Sequence, residues 1–377
     1  MKNERAPRVL FAGGGSGGHV YPAIAIADAV RALEPKAAVA FAGTEDRLEW
    51  KAVPQAGYAI HPITVQGFHR KQPLRNLGFP FKVTKGFLQS LGLVRAFDPD
   101  VVIGTGGYVA GPVLLAARLL GRPIVIQEQN AFPGVTNKLL GKMATTIHLA
   151  FPEATRFFDA KRCVISGNPT RGSLVGVDRG EARRFYDLPE TARTLLVFGG
   201  SLGSAALNAA MEDHLGRLLA EPDVCVIWQT GSLYYERVNA RVELHPRLRL
   251  LKYIDRMDMA YAAADAVLSR AGAITCSELM ITGTPAILVP SPNVAEDHQT
   301  PNARSMADAG AARFLPEKEL PERLADEALG LLRDDAGRQA MREAMLGLAR
   351  PDAARAIARQ VLDLIHSRCP EAVSRLF

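Results

Sequence analysis

The stretch Arg8-Val9-Leu10-Phe11-Ala12-Gly13-Gly14-Gly15-Ser16-Gly17-Gly18-His19 decides the fold. An apolar run predicts a buried strand over 8–12, and helical patterning resumes over 22–33. Strand, glycine turn and helix together place backbone N–H groups beside the positive end of a helix dipole, an arrangement that suits a diphosphate. Gly13, Gly15 and Gly18 fit the dinucleotide pattern G-x-G-x-x-G. That pattern also wants an acid closing the second strand to hold a ribose. Position 38 is Ala38, and the first acid after the second strand is Glu45. The turn therefore reads as an anion site, with the NAD version incomplete. His19 falls at the first turn of the helix, where the dipole opposes protonation. A neutral imidazole there can serve as a general base. It can equally be a hydrogen-bonding residue that shapes the loop, and both readings stay open at this point.

Outward from this turn the same grammar repeats. Further apolar strands are predicted at 39–42, 100–104 and 123–126, and a short one ends in Gly167-Asn168-Pro169. The pattern restarts at 195–198 and runs into a second glycine turn, Gly199-Gly200-Ser201-Leu202-Gly203-Ser204. Strands at 224–228, 248–251, 266–269 and 286–289 follow. Apolar strands alternating with helices indicate parallel sheets, so the fold class is α/β with two doubly wound, Rossmann-like domains. The expected domains are 1–167 and 168–351. A last helix over 352–377 carries Ile357, Val361, Leu364 and Ile365 at helical spacing and packs on either domain. Ligands of such sheets bind at strand ends. Those ends carry Gly104-Thr105-Gly106-Gly107-Tyr108, Gln127-Glu128-Gln129-Asn130 and the Ser269 to Leu279 stretch. Glu278 is expected in the first turn of the helix that this last stretch opens. There it either accepts from ribose hydroxyls or caps the helix.

Composition supports two domains and excludes several classes. The chain has 377 residues, 48% of them hydrophobic and 22% charged, with a mean hydropathy of +0.02. That is a globular composition of two-domain size. Cys163, Cys225, Cys276 and Cys369 form no C-x-x-C pair, so a structural zinc or a disulfide framework is not expected, and a reducing compartment is. No signal-peptide pattern opens the sequence, and no run of about 18 apolar residues suggests a membrane span. Asp98-Pro99-Asp100 has the spacing of a metal-binding D-x-D, but its central proline before a strand reads as a turn. The net charge is +6 with a pI near 9.2. Residues 1–167 hold 20 Lys/Arg and 11 Asp/Glu, while the remainder holds 25 and 28. The excess sits in the segment 67–95. It carries Arg70, Lys71, Arg75, Lys82, Lys85 and Arg95 without an acid, among Phe68, Phe79, Phe81 and Phe87. Cations interleaved with aromatics suit an anionic membrane surface or a single-stranded nucleic acid, and the bland alternative turns the phenylalanines into the core.

Seven ordered segments now stand out: GGGSGGHVYPA (13–23), GTGGYVAGP (104–112), QEQNAFPGVTNK (127–138), GNPTR (167–171), FGGSLGS (198–204), SRAGAITCSELMITGTPAILVP (269–290) and EDHQTPNA (296–303). With them the chain resembles the MurG-type N-acetylglucosaminyltransferases of bacterial cell-wall synthesis over nearly its whole length. The resemblance implies a GT-B fold, two Rossmann-like domains facing across a cleft. It implies UDP-N-acetylglucosamine as donor, lipid I as acceptor and lipid II as product, with inversion at the anomeric carbon. No metal or other cofactor is implied. The expected location is peripheral, on the cytoplasmic face of the cell membrane. Other cell-wall synthesis proteins become candidate partners and nucleic acid drops out.

The family's site residues carry over as follows. The uracil contact falls on the Ile254 backbone. The diphosphate contacts fall on Ser201 and on the helix start at Ala273, Ile274 and Thr275, with charge from Arg171. Glu278 matches the ribose acid, His298 and Gln299 the sugar-reading pair, and Asn130 a donor-sugar contact from the other domain. Ser16, Gly17 and Gly18 match the loop that meets sugars and acceptor diphosphate, and His19 is the candidate base. Ser16 stands where Thr is frequent, and His298 where some members have Gln. Other readings are a GT-B epimerase or a transferase with another acceptor, an NAD-dependent oxidoreductase, and a non-catalytic nucleotide-sugar sensor.

Overall fold

A computed structural model of the chain describes residues 5–66, 79–170, 174–294 and 297–367. Its internal packing divides the chain into Met1–Thr170 with Pro351–Phe377 as one unit, and Arg171–Arg350 as the other.

In the first unit seven strands form one sheet: β1 (Arg8–Gly13), β2 (Ala38–Gly43), β3 (Ala59–Pro62), β4 (Val101–Gly106), β5 (Ile124–Glu128), β6 (Thr146–Leu149) and β7 (Cys163–Ile165). Their order is β3-β2-β1-β4-β5-β6-β7, and every pairing is parallel. A sheet buried on both faces needs apolar residues pointing both ways. Val9 and Phe11 accordingly join a core with the helix Gly17–Leu33. Leu10 and Ala12 join the opposite core with the helix Ala110–Leu119. Phe11 and Phe41, register partners on β1 and β2, stack with ring centroids 5.0 Å apart. The helix Ala353–Ser367 belongs to this unit: Ile357, Ala358, Val361 and Leu362 are buried against the helix Gly17–Leu33.

In the second unit the strands are β8 (Arg193–Phe198), β9 (Val224–Gln229), β10 (Leu248–Leu251), β11 (Ala266–Ser269), β12 (Ala286–Leu288) and β13 (Arg313–Phe314). Their order is β10-β9-β8-β11-β12-β13, again all parallel. Each sheet reverses its winding direction once, between β1 and β4 and between β8 and β11. The connections after the central strands therefore depart to opposite faces and open a crevice at the strand ends. The glycine turns occupy those two positions. Strands β3, β6 and β13 were not expected from sequence; they are short and interrupted by His61, Pro62 and His148 or are only two residues long.

Candidate active site

The first glycine turn leaves β1 at Gly13 and enters its helix at Gly17, five residues earlier than the apolar periodicity indicates. Ser16 takes the N-cap position with extended backbone and gives no side-chain cap. Gly17 and Gly18 open the helix, so their N–H groups have no carbonyl within it to bond. The turn is held from behind by Glu49, whose side chain is fully buried. One carboxylate oxygen accepts from Gly15 N–H at 2.9 Å, the other from Thr44 N–H at 3.2 Å and Thr44 Oγ1 at 2.7 Å. A buried carboxylate persists only with such donors. Glu49, rather than Glu45 nearer the end of β2, is thus the acid turned inward onto the loop.

His19 faces Gln129 across the unit's switch point, with Nδ1 2.9 Å from Gln129 Oε1. Thr105 Oγ1 donates to His19 O at 2.8 Å and fixes the backbone beneath the ring. Gly106 has a φ of +111°, and a Cβ there would fall 2.7 Å from His19 Nδ1 and Cε1. The ring therefore abuts a backbone that has room for it only at glycine. Asn130 follows Gln129 and is oriented by Glu128: Asn130 N–H and Nδ2 donate to Oε1 at 3.0 and 3.2 Å. The other oxygen of Glu128 takes Asn137 Nδ2 at 2.8 Å and Gly134 N–H at 3.2 Å. Ser16, Gly17, Gly18, His19 and Asn130 thus all sit on loops or helix starts at the carboxyl ends of β1 and β5.

In the second unit the turn after β8 carries Ser201 on its exposed crest and ends in Ser204, the N-cap of the helix Ala205–Ala220. Gly203 and Gly231 meet backbone to backbone: a Cβ on Gly203 would lie 2.0 Å from Thr230 O. Gln229, at the end of β9, joins two parts of the site. Its Nε2 donates to Gly200 O at 3.0 Å, and its Oε1 accepts from Ile254 N–H at 2.8 Å. The N–H of Ile254 is therefore taken, and a nucleobase contact through this residue falls to its carbonyl.

The helix Ala273–Thr282 starts at Gly272 without a side-chain cap, so Ala273, Ile274 and Thr275 present its first N–H groups. Glu278 is the sixth residue of that helix and lies in its second turn, not the first. It cannot cap the helix, and it accepts from Tyr261 OH at 2.9 Å. Burial and the neighbouring Glu278 push the Tyr261 hydroxyl well above its ordinary range, so it remains a donor.

Behind these elements Arg270 is a buried clamp. It donates to Ser204 Oγ at 2.6 and 3.1 Å, to Val289 O at 3.2 Å and to Pro290 O at 3.3 Å, and it pairs with Glu317. His298 precedes the helix Gln299–Asp308. Ser291 N–H donates to Gln299 Oε1 at 2.9 Å, which turns the donor end of that amide the other way. Arg171, expected to add charge, lies outside the described residues. So do Arg70, Lys71 and Arg75 of the basic segment. Asp98 and Asp100 are engaged by Arg5, Arg8 and Arg122, and Asp98 has a φ of 49° in the turn. Glu49, Gln229 and Arg270 were not singled out from sequence, because a buried partner has no motif of its own.

Two family models match: the glycosyltransferase family 28 N-terminal domain over residues 9–149, and the family 28 C-terminal domain over 194–357. The chain is 59% identical to the UDP-N-acetylglucosamine–N-acetylmuramyl-(pentapeptide) pyrophosphoryl-undecaprenol N-acetylglucosamine transferase of Salinibacter ruber, over 96% of this chain and 98% of that one. It is 42% identical to the protein of the same name from Flavobacterium psychrophilum, with 96% and 98% covered. The crystal structure of Acinetobacter baumannii MurG superposes with a TM-score of 0.77 at 31% identity, covering 95% of this chain and 99% of that one. Two doubly wound parallel sheets, a glycine turn at the switch point of each and these likenesses over nearly the full length agree: the chain belongs to glycosyltransferase family 28, among its MurG-type N-acetylglucosaminyltransferases.

Proposed function

We propose that the protein transfers N-acetylglucosamine from UDP-N-acetylglucosamine to the muramoyl 4-hydroxyl of lipid I, making lipid II, with His19 as the base. The observation that carries the base assignment is the His19–Gln129 contact, which occupies one ring nitrogen and leaves Nε2 for a substrate. His19 Nε2 takes the proton of the acceptor hydroxyl as its oxygen attacks the anomeric carbon. The bond from that carbon to the diphosphate breaks, and UDP leaves from the opposite face, which inverts the centre. Negative charge grows on the departing diphosphate. The N–H groups at Ala273, Ile274 and Thr275, the Ser201 turn and Arg171 stabilise it. Glu278 receives the ribose hydroxyls, the Ile254 carbonyl the uracil, and His298, Gln299 and Asn130 read the sugar. Ser16, Gly17 and Gly18 meet the acceptor diphosphate.

The test is transfer of radiolabelled N-acetylglucosamine from the UDP donor to a lipid I analogue with EDTA present. Transfer is expected, and it should fall at least about a hundredfold in His19→Gln. Tight UDP binding without transfer by the unaltered protein would indicate a sensor instead, and a fluorescence change with NADH an oxidoreductase.

A membrane-facing role for the first unit is part of the proposal, at the cytoplasmic face of the cell membrane. Among the described residues no helix is long and apolar enough to cross a membrane. The helix Phe79–Phe97 exposes Phe81 (74%), Val83 and Leu88 beside Lys82 and Lys85, while Phe87 and Phe97 pack on the core. The helix Ala110–Leu119 packs against it and exposes Leu115, Arg118 and Leu119. A cavity of about 320 Å³ beside that helix is lined by Arg118, Arg122, Lys142 and Arg162, with no acid in its wall. Apolar side chains ringed by cations suit an anionic bilayer.

A further inference from the structure

Behind His19 lies a line of buried amides: Gln129, Gln127 and Asn168 are 1%, 0% and 2% exposed. Gln129 Nε2 is surrounded by oxygens, with Thr105 O at 2.8 Å, Gln127 O at 3.1 Å and Gln127 Oε1 in contact. Only the nitrogen end of an amide fits among three acceptors, so Oε1 is the atom that faces His19. Oε1 accepts and cannot donate. His19 Nδ1, 2.9 Å away, therefore carries the ring proton, and Nε2 carries the lone pair. The two backbone carbonyls fix this end of Gln129, and Gln127 then turns its Oε1 toward Gln129 and its Nε2 toward Asn168 Oδ1 at 3.4 Å. Asn168 lies in the Gly167-Asn168-Pro169-Thr170 segment that leads out of the first unit.

We propose that Gln129, itself oriented by the Thr105 and Gln127 backbone carbonyls, is the positioning residue that holds His19 in the Nδ1–H tautomer and so selects Nε2 as the proton acceptor. The inference rests on His19 being the base. A neutral imidazole without a partner divides between its two tautomers, and only one of them has its lone pair on Nε2. In a Ser-His-Asp triad a carboxylate does this orienting and also offers a countercharge. Here a neutral amide does the orienting alone, and its own two ends are sorted by backbone carbonyls of the segments at the ends of β4 and β5.

The test reads the tautomer directly. Two-bond proton–nitrogen correlation spectra at pH 8, with the His19 signals assigned by their loss in His19→Gln, should show a protonated Nδ1 and a bare Nε2. Gln129→Met keeps the volume and removes the acceptor. It should shift His19 toward the Nε2–H form and lower kcat about 10- to 100-fold, with KM for UDP-N-acetylglucosamine changed less than about twofold. Gln127→Met should move both readouts the same way by a smaller amount. An Nε2–H tautomer in the unaltered protein overturns the proposal, and this result needs no variant to fold. A tautomer that shifts in Gln129→Met while kcat stays also overturns it. Unchanged turnover in His19→Gln overturns the base assignment, and the spectrum then still reports on the tautomer lock separately.

Discussion

The Glu49 carboxylate accepts the Gly15 N–H at 2.9 Å while both donors of Thr44 occupy its other oxygen. The shape of the first glycine turn and the burial of that charge therefore depend on each other. Glu49→Gln puts an amide NH₂ against an N–H or hydroxyl donor at one of the two ends. It should cost about 2–4 kcal/mol in urea denaturation and lower turnover more than about tenfold through the displaced Gly15–His19 loop. A variant with unchanged midpoint and unchanged kcat would show that the turn holds its shape without the charge.

Gly106→Ala should act on His19 without touching the donor site. The new methyl would start 2.7 Å from the imidazole, at a backbone φ of +111°. The ring must move, and kcat should fall at least about tenfold. Calorimetric UDP affinity, a property of the second unit in our proposal, should stay within about twofold. A large loss of UDP binding would contradict that division of labour.

Arg270→Gln should weaken UDP binding by about 10- to 100-fold. The substitution leaves Glu317 without its cation and releases Ser204, Val289 and Pro290 together. Arg270→Lys should recover little, because one ammonium cannot span a hydroxyl, two carbonyls and a carboxylate. Equal UDP affinity in both variants and the unaltered protein would remove the clamp from the account.

His148 should make stability depend on pH. Desolvation takes this buried ring from its ordinary 6.5 down to about 4. Between those values the unfolded chain binds a proton here and the folded chain does not. Stability is therefore complete above about pH 6.5 and falls as the pH drops toward 4, by up to about 3 kcal/mol. His148→Gln should flatten that part of the profile. Parallel pH profiles of urea midpoint for the two proteins would count against the neutral buried ring.

Changing Arg70, Lys71, Arg75, Lys82 and Lys85 together to Gln should weaken cosedimentation with anionic vesicles by at least about tenfold, and more at low salt than at high. Turnover on a short-chain soluble acceptor should be unaffected. Unchanged vesicle binding would remove the basic segment from the membrane role.

Much of this was legible in the residues, and the exceptions share a cause. The glycine turns at 13–18 and 199–203 announce themselves because strand, turn and helix start are contiguous in the chain. Ile357 and Val361 announce a helix face by their spacing, but the surface that receives the face lies more than 300 residues away and leaves no mark in the spacing. The strand over Thr146–Leu149 was obscured by His148, a polar residue in a fully buried position. Glu49, Gln229 and Arg270 were silent because each serves a loop distant in sequence through polar contacts that leave no periodic mark. The helix beginning at Gly17 was obscured by the low-propensity glycines Gly17 and Gly18 at its start.

The helix Ala353–Ser367 closes the core of the unit that begins at the other end of the chain, with residues 171–350 in between. On the ribosome, Val20, Ile26 and Ala27 must therefore wait for the whole intervening unit to be made before their final partners emerge. The second unit can fold as it is synthesised, while the first can finish only once residues 353–367 have been made. A chain cut short before residue 353 would carry an apolar groove along its first helix, a mark by which quality control could recognise unfinished enzyme.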